Sequence, residues 1–364
     1  MLYLLKIKYV FIFFLCIIYY KIIIKEKLLN KLSKPSNSIK KIGVFGYTND
    51  NNIGNNLVKF SMFLLLKDLG FEPTMIAPSE NYDLYFIKKY MNIREIQNFS
   101  LIKKDDYDIL MVNSDQTWSE RFEYLLNIGF LYFASNWSVI KFTYGASLGS
   151  DSWNVTPSIL SNAKILVKSF KSISVREKNA INIIQHYLGV KPVFVLDPTF
   201  LINKNKYINL IQNFNYNISL NYNYLCVYQL DKNEFIENFI KETSIKYNMK
   251  ILYVDIFKPN YIEKFIFSYN ISKAIITDSY HGTVFSIIFN KPFISFINSE
   301  RGRDRFISLR ETFKIQNRIV FPLKSENIDM NLLNINPSIN ETEFNLLKEK
   351  SLNYLKKNLG ILNV

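Results

Sequence analysis

The stretch IITDSYHGTVFSIIFNKPFISFI, residues 275–297, decides the fold. A short β-branched apolar run ends at Thr277, helix-compatible apolar residues follow to Asn290, and a second apolar run begins after Pro292. This order predicts a strand, a helix and a second strand, which together form a βαβ unit with parallel strands. In open α/β sheets, ligands bind at the carboxyl ends of the strands. We therefore expect a binding site where the first of these strands ends.

His281 is the main candidate at this strand end. It stands at the predicted helix N-terminus, after Ser279, and is one of two histidines in the chain. A helix N-terminus attracts anions, and Gly282 allows close approach of the backbone to a ligand. Because histidine is suited to proton transfer near neutral pH, His281 is a candidate acid or base, although a helix-capping role without chemistry is the alternative. The second histidine, His186, lies mid-helix, where we expect a solvated or packed side chain.

Strand and helix patterns alternate along the chain in two series, separated where Asn-rich connectors begin after Asp197-Pro198. Such alternation indicates parallel sheets covered by helices. We expect an α/β protein with two Rossmann-like domains facing a cleft, at residues 35–200 and 201–364. The predicted strands are 42–45, 74–77, 109–112, 140–144, 173–175 and 194–196 in the first series and 224–228, 251–255, 274–277 and 293–297 in the second. The clearest predicted helices are 55–69, 177–188 and 341–359.

Residues 2–24 form a long apolar run that contains three lysines. About 20 apolar residues span a bilayer, and lysines near the ends of a span can reach the interface. We therefore predict a single-pass membrane anchor and linker at residues 1–34, with a packed N-terminal helix as the alternative. Lysines are more numerous after the apolar run than before it, which favours a cytosolic globular part. A Golgi lumenal location is the alternative.

The formal net charge of +14 suits anionic partners. Basic residues do not combine with aromatic residues in any known nucleic-acid-binding pattern, so we expect no nucleic acid partner and favour an acidic membrane or acidic and phosphorylated sugars. Two cysteines provide no disulfide framework. Without a CxxC or His-Cys cluster, no metal site is expected.

Seven segments in matching order resemble the polysaccharide pyruvyl transferase family, over roughly residues 40–320. The segments are GYTNDNNIGNNL (46–57), DILMVNSDQTW (108–118), YGASLGS (144–150), SISVREKNA (172–180), LDPTFLI (196–202), TDSYHGTVFS (277–286) and DRFISLRETFKIQNR (304–318). The chain departs from the family pattern at Asn113, where the family has glycine, and near Lys258-Pro259, where the usual helix start is weak.

The resemblance implies a GT-B-like fold and an enzyme that transfers pyruvate from phosphoenolpyruvate to two hydroxyls of a sugar as a ketal. It implies no cofactor besides this donor substrate. The acceptor would be a sugar of a cell-surface or glycoprotein glycan. Such a reaction needs cations for the donor's carboxylate and phosphate, an acid for the methylene carbon or the phosphate, and a base for the sugar hydroxyl.

Two arginines are candidates for donor binding, because a guanidinium binds carboxylate or phosphate with two parallel hydrogen bonds. Arg176 directly follows the predicted strand 173–175, and Arg305 follows the strand 293–297 within a cluster that includes Arg301 and Arg303. Both also match the family segments. For any single arginine, a surface salt bridge is the alternative.

Asp115 is the candidate carboxylate of the site. It could act as a base or bind a sugar hydroxyl, and the alternative is that it caps a helix at 117–125. Trp118 offers an aromatic face for sugar C–H groups. The loop 48–55, with Gly54-Asn55, can present amides to a ligand, and Asn55 is a substrate-binding candidate with Ser279 and Gly282. Asp197 is interpreted as shaping an interdomain hinge. Weaker pocket candidates are Tyr144 and Ser147.

Three functions remain open. The first is a membrane-anchored pyruvyltransferase. The second is a glycosyltransferase of GT-B architecture that uses a nucleotide sugar. The third is an inactive glycan-binding relative. The sequence contains neither GxGxxG nor GxxxxGK[ST], so it does not indicate a dinucleotide or a nucleoside triphosphate. The family segments favour the first function.

Overall fold

A computed structural model describes residues 39–46, 52–78, 85–255, 260–323 and 327–362. The predicted membrane anchor, residues 1–34, lies outside these ranges, as do residues 48–51 of the predicted loop 48–55. Across the described ranges, no helix is long and apolar enough to span a bilayer.

The first half of the chain forms a five-stranded parallel sheet with the order β3-β2-β1-β4-β5. Its central strands are continuous apolar runs, as expected where both faces of a sheet are covered. Strand order reverses between β1 and β4, and the carboxyl ends of strands at such a switch point form a ligand crevice. The strands are β1 (Lys41–Phe45), β2 (Glu72–Pro78), β3 (Ile93–Ile96), β4 (Ile109–Val112) and β5 (Ile140–Thr143).

Two short strands extend this half beyond β5. Strands β6 (Ser174–Val175) and β7 (Val193–Phe194) pair in parallel, and isolated bridges join the neighbouring chain to the end of β5. Up to residue 211, the α-helices of the described chain are α1 (Ile53–Asp68), α2 (Tyr85–Tyr90), α3 (Leu126–Gly129), α4 (Pro157–Leu166), α5 (Lys178–Leu188) and α6 (Lys204–Ile208). Over the same range, the 3₁₀ helices are Phe99–Leu101, Glu120–Leu125, Tyr132–Ala134, Val167–Ser169, Pro198–Phe200 and Asn209–Ile211.

The second half forms another five-stranded parallel sheet, with the order β12-β11-β10-β8-β9. Its switch point lies between β8 and β10. The strands are β8 (Tyr224–Tyr228), β9 (Lys250–Tyr253), β10 (Ala274–Thr277), β11 (Phe293–Phe296) and β12 (Ile319–Val320). The helices are α7 (Glu234–Lys246), α8 (Tyr261–Ile271), α9 (Tyr280–Ile288), α10 (Arg303–Phe313) and α11 (Glu341–Leu359), with 3₁₀ turns at Ser299–Arg301 and Met330–Asn334.

One apolar core continues from the first half into the second. The Tyr207 ring lies between the two halves, with its centroid 6.4 Å from that of Phe60 on α1 and 4.9 Å from that of Phe285 on α9. Buried aromatic rings at these spacings contribute through both area and ring geometry. Packing of this kind holds the N-termini of α1 and α9 in fixed positions.

The C-terminal helix α11 packs on the first sheet, although it follows the second sheet in the chain. The Tyr354 hydroxyl donates to the carbonyl of Thr143 at the end of β5, at 2.9 Å. The Leu196 amide donates to Ser351 Oγ at 3.0 Å. The last helix therefore ties the end of the chain to the first half.

The βαβ unit predicted from residues 275–297 is confirmed, because β10 and β11 pair in parallel across helix α9. Parallel sheets in both halves likewise confirm the mixed α/β prediction. Two strands were not predicted from the sequence pattern, namely β3, which is half-exposed, and β12, which has two residues. Neither strand has the long apolar run by which the other strands were recognised.

Candidate functional site

His281 lies buried at the start of helix α9, where strand β10 ends. Ser279 caps this helix, since its Oγ accepts a hydrogen bond from the Gly282 amide at 3.2 Å. A Cβ built on Gly282 would overlap Thr277 Oγ1, so glycine is required here for packing. Ser279 and Gly282 thus have a structural role, because they place His281 at the helix N-terminus. The sequence had suggested a substrate-binding role for both residues.

The His281 ring lies against the N-terminus of helix α1. A Cβ built on Gly54 would overlap the Nδ1 and Cγ atoms of this ring, so no larger residue fits. Asn52 caps α1 by accepting from the Asn55 amide at 2.9 Å. The structure therefore brings the glycine-asparagine segment of the first half into contact with the histidine of the second half.

Arg176 follows strand β6 and is fully buried among carboxylates. Its Nη1 donates to Asp197 Oδ2 at 2.5 Å and its Nη2 donates to Asp115 Oδ1 at 3.0 Å. Nε and Nη1 lie at 3.4 Å and 3.2 Å from Glu177 Oε1 and Ser114 Oγ, respectively. Buried charges must be paired, and this guanidinium is saturated by its neighbours. Arg176 is therefore better placed to organise the carboxylates than to bind a ligand alone.

Asp197 connects Arg176 to His281. The Oδ2 atom that binds Arg176 also lies 3.5 Å from His281 Nε2. The Oδ1 atom accepts from the amide and the hydroxyl of Thr199, at 3.0 Å and 2.7 Å. The sequence suggested only a hinge role for Asp197, whereas the structure places its carboxylate in the centre of the site.

Asp115 occupies the switch point of the first sheet in a strained conformation, with φ at 97°. Its Oδ2 accepts from Asn55 Nδ2 at 2.9 Å, and Lys59 Nζ donates to Asn55 Oδ1 at 2.5 Å. Positive φ is unfavourable for a residue with a Cβ, and strain of this kind is concentrated at functional sites. The helix-capping alternative for Asp115 is wrong, because Ser119 caps the 3₁₀ helix at Glu120–Leu125.

Arg305, from helix α10, supplies the second buried guanidinium. Its Nη1 lies 3.9 Å from Asp115 Oδ1, and its Nη2 donates to the carbonyl of Arg301. Within the described part of the chain, its Nε has no hydrogen-bond partner. A buried, incompletely paired guanidinium is costly for the free protein and attracts an anion.

Tyr280 lies between the two arginines. The guanidinium carbons of Arg176 and Arg305 are 4.9 Å and 5.0 Å from its ring centroid. Cations within about 6 Å of an aromatic ring are attracted to its π-face. The buried ring thus stabilises two like charges that would otherwise repel each other at short range.

The electrostatics of the site follow from burial and from these pairs. Burial disfavours ionisation of Asp115 and Asp197, but the nearby Arg176 charge outweighs it and holds both carboxyl pKa values below their usual range. Burial raises the pKa of Glu177, with partial opposition from Arg176. Burial and the neighbouring Arg176 charge lower the pKa of Arg305. A bound anion would relieve the unfavourable environment of Arg305.

The prediction for Trp118 needs correction, whereas the exposed His186 agrees with the solvated side chain expected from the sequence. Trp118 cannot offer a face to a sugar, because its side chain is fully buried, stacked on Phe130 at 4.5 Å, with its Nε1 donating to the Gly129 carbonyl. Tyr144 is buried with its hydroxyl donating to the Leu196 carbonyl. His186 is exposed on helix α5, and Ser147 is buried.

Two further residues of the site, Lys59 and Glu177, were not predicted from the sequence. Lys59 is a buried lysine in the middle of a mostly buried helix, and Glu177 directly follows Arg176. A lysine within the apolar run of α1 was a detectable signal, because lysine is almost never fully buried unless it is paired. Among the described residues, no group of three or more His, Cys, Asp or Glu side chains is arranged to hold a metal ion.

Solved structures show which fold this geometry belongs to. A UDP-GlcNAc 2-epimerase from Methanocaldococcus jannaschii matches with a TM-score of 0.54 at 15% identity, covering 87% of this chain and 99% of that chain. One from Neisseria meningitidis, bound to UDP-GlcNAc, matches with a TM-score of 0.52 at 10% identity, covering 90% and 94%. A glycosyltransferase from Rickettsia africae matches with a TM-score of 0.50 at 14% identity, covering 88% and 99%. These similarities establish a GT-B-like fold.

No significant match is found among curated proteins. The sequence profile of the family described as Polysaccharide pyruvyl transferase, in contrast, matches residues 52–300, about two thirds of the chain. This range includes Gly54, Asp115, Arg176, Asp197 and His281, whose side chains or backbone meet in the structure. The chain therefore belongs to the polysaccharide pyruvyl transferase family.

Proposed function

We propose that the protein transfers the pyruvyl group of phosphoenolpyruvate to two hydroxyls of a glycan sugar, with the buried cluster around His281 as its reaction centre. The observation on which this proposal rests is the buried Arg305, whose Nε has no hydrogen-bond partner among the described residues. It lies with Arg176 beside a histidine at a helix N-terminus. Phosphoenolpyruvate is a small dianion or trianion, and this arrangement suits a ligand of that charge.

The pairing of the two buried arginines supports an anionic donor. Arg176 is paired with Asp115 and Asp197. Arg305 approaches Asp115 only at 3.9 Å, and among the described residues its Nε has no hydrogen-bond partner. A ligand carboxylate or phosphate would complete the hydrogen bonding of Arg305.

The proposed reaction balances as follows. A proton adds to C3 of phosphoenolpyruvate, whose methylene becomes a methyl group. One sugar hydroxyl oxygen bonds to C2, the bond between C2 and the phosphate oxygen breaks, and a second hydroxyl oxygen bonds to C2 to close the ketal. Of the two hydroxyl protons released, one replaces the proton consumed at C3 and the other leaves with the phosphate.

We assign proton transfer to His281, because it is the one imidazole among the described side chains of the cluster and it lies at a helix N-terminus. We propose that Arg305 binds the donor's carboxylate or phosphate. Arg176 positions Asp115 and Asp197. The low pKa of Asp115 makes it a weak base. We therefore propose that Asp115 and Asn55 form hydrogen bonds to a sugar hydroxyl or to the donor.

Substitution of the two histidines tests the assignment with a matched control. His281→Ala is expected to reduce phosphate release from phosphoenolpyruvate by at least about 100-fold, since general acid–base catalysis contributes about 10²–10⁴-fold. His186→Ala removes an exposed histidine and should retain wild-type activity. The assay measures phosphate release together with a pyruvyl mass gain on glycan. Equal activity of wild type and His281→Ala would refute the assignment.

The alternative functions predict different ligands in the same assay. A nucleotide-sugar glycosyltransferase would bind a nucleoside diphosphate and would release no phosphate from phosphoenolpyruvate. An inactive glycan-binding relative would bind sugar without either donor. Parallel titrations with phosphoenolpyruvate and UDP therefore separate the three functions.

We further propose that the two sheets define two domains, with a boundary near residue 200, and that residues 1–34 anchor the enzyme to a membrane. The alternating sheet patterns and the apolar run at residues 2–24 support these proposals. Membrane fractionation of the full chain and of a variant lacking residues 1–34 tests the anchor. Equal membrane association of both proteins would refute it.

A further inference from the structure

A groove of about 540 Å³ lies at the carboxyl edge of the second sheet, beside the His281 cluster. Asp231 follows β8, Asp278 directly follows β10, Asn298 follows β11 and Phe321 follows β12. The groove thus opens at the switch point of this sheet, between β8 and β10, where open α/β folds bind ligands. Its volume falls within the range of about 300–1,000 Å³ that is usual for ligand pockets.

The polar floor of the groove is fixed before any ligand binds. Asp278 accepts hydrogen bonds from the amides of Leu230 and Asp231, at 2.6 Å and 3.1 Å. Asn298 Nδ2 donates to both Asp231 and Asp278, at 2.6 Å and 3.2 Å. Arg301 donates from Nε and Nη2 to the two oxygens of Asp231, at 2.6 Å and 2.7 Å. Adjacent acceptors and donors held in this way match the hydroxyl pairs of a sugar ring.

Charge in the groove favours a neutral ligand. Among its lining residues, three acidic side chains (Asp231, Asp278 and Glu300) stand beside three basic ones (Arg121, Lys232 and Arg301). Arg301 is already paired with Asp231, and Arg121 donates to the Glu300 carbonyl. Because its acidic and basic side chains are equal in number, the groove presents no net positive charge to a diphosphate. It differs in this respect from the His281 cluster, where the buried Arg305 Nε has no hydrogen-bond partner among the described residues.

The groove also has apolar lining residues. Ile297, Phe321 and Pro322 are among them, and the Arg303 guanidinium lies 5.4 Å from the Phe321 ring. A pyranose has one face of C–H groups and a rim of hydroxyls, so a lining with both apolar and hydrogen-bonding groups suits it. A phosphate group would gain nothing from the apolar residues.

The groove is connected to the reaction centre through Arg301. Its side chain lines the groove, whereas its carbonyl accepts from Arg305 Nη2 and, at 3.5 Å, from Gln116 Nε2. A second connection is Asp278, which lines the groove and lies three residues before His281 in the chain. A sugar in the groove would therefore border the cluster to which the donor is assigned.

We propose that this groove is the acceptor subsite and that it takes a neutral saccharide, with Asp231, Asn298 and Arg301 binding its hydroxyls. The proposal rests on the proposed function, because it names the acceptor site of the same reaction. Sugar binding to the groove is nevertheless measurable without phosphoenolpyruvate.

Calorimetric or saturation-transfer titration of the full chain with neutral methyl glycosides and disaccharides of gluco, galacto and manno configuration tests the subsite. The wild type should bind at least one of these sugars, and Asp231→Ala and Asn298→Ala should each raise its Kd about tenfold or more. The matched control is Asp68→Ala, which removes an exposed aspartate from a surface pair with Lys206 and should leave the Kd unchanged.

Each outcome of this titration has a distinct meaning. If the groove variants bind the sugar with the wild-type Kd, the subsite proposal is wrong. The pyruvyl transfer proposal would not be affected by that result. Absence of sugar binding in the wild type, or competition by UDP at the groove, would also overturn the subsite proposal. Groove-dependent sugar binding without phosphate release from phosphoenolpyruvate would instead support the subsite and refute the proposed function.

Discussion

At the scale of single residues, the site depends on atoms that serve two partners at once. One carboxylate oxygen of Asp197 binds Arg176 and also lies beside His281, while the other oxygen is held by Thr199. Because the side chain of Arg176 is completely buried, its charge depends on the carboxylates around it. Loss of one carboxylate therefore affects both stability and chemistry.

Asp197→Asn should lower the free energy of unfolding by about 3–5 kcal/mol at pH 7, because it leaves a buried charge underpaired. The folded-state pKa values of Asp115 and Asp197 lie below the unfolded value of about 3.9. Their contribution to stability is therefore full above about pH 4 and is lost as pH falls further towards the folded-state values. Urea unfolding at pH 7, 4 and 3 should show this loss in the wild type.

The same series should show a shallower acid dependence in Asp197→Asn, because one of the two carboxyls no longer titrates. Asp68→Asn, at an exposed ion pair, serves as the control and should follow the wild type at every pH. Identical acid dependence in Asp197→Asn and the wild type would contradict the assigned role of this carboxyl.

We expect Tyr280 to influence binding of the proposed donor through Arg176 and Arg305, whose guanidinium groups lie over its ring. Tyr280→Phe retains the π-face and should keep the KM for phosphoenolpyruvate within about twofold of the wild-type value. Tyr280→Leu removes the ring. Loss of a ring contribution of about 1–2 kcal/mol to donor binding should raise the KM for phosphoenolpyruvate about 5- to 30-fold. Steady-state kinetics of the two variants separate the ring from the hydroxyl, and equal KM values would exclude the cation–π role.

At the scale of elements, the site is where two helices begin. The N-termini of α1 and α9 meet, and glycine at position 54 leaves room for the His281 ring. Each helix carries its own polar cap, Asn52 for α1 and Ser279 for α9. The two caps orient free amides and partial positive charge towards the same small volume.

Gly54→Ala should displace His281 and reduce kcat by about 100-fold or more, since a displacement of about 1 Å can cost that much. Gly46→Ala is the matched control, because a Cβ there would meet its nearest neighbours at an ordinary 3.8 Å. Both variants require kcat and circular dichroism measurements. Unchanged kcat in Gly54→Ala would show that the contact does not position the histidine.

At the scale of the whole molecule, helix α11 returns from the second half to close the first. Its buried side chains include Ser351, Tyr354 and Asn358, and each bonds to the region of β5, β6 or β7. Polar contacts of this kind fix the helix in one register, whereas apolar contacts alone would allow it to slide.

Tyr354→Phe should lower the free energy of unfolding by about 1 kcal/mol, because it removes the hydroxyl that satisfies the Thr143 carbonyl. Tyr222→Phe, at a half-exposed tyrosine, should leave stability within about 0.5 kcal/mol of wild type. Urea denaturation of both variants measures the difference. A stability loss of equal size in both would show that helix α11 gains nothing from this bond.

The sequence predicted the parts of this molecule that depend on local pattern. Apolar runs such as Ile109–Val112 revealed the central strands, and their order placed His281 and Arg176 after strand ends. It did not predict the partners that meet only in three dimensions. Asp197 resembled a hinge because the Pro198 beside it dominates the local signal, while its partner Arg176 is 21 residues away.

The contact between Gly54 and His281 also decides which edge of the imidazole can react. Nδ1 lies against the backbone of Gly54, whereas Nε2 lies 3.5 Å from Asp197 Oδ2 and has no hydrogen-bond partner among the described residues. If His281 transfers a proton as proposed, we expect the transfer to use Nε2, with a carboxylate beside it. Replacement of His281 by an Nε2-methylated histidine should stop catalysis even though charge, ring and helix remain in place.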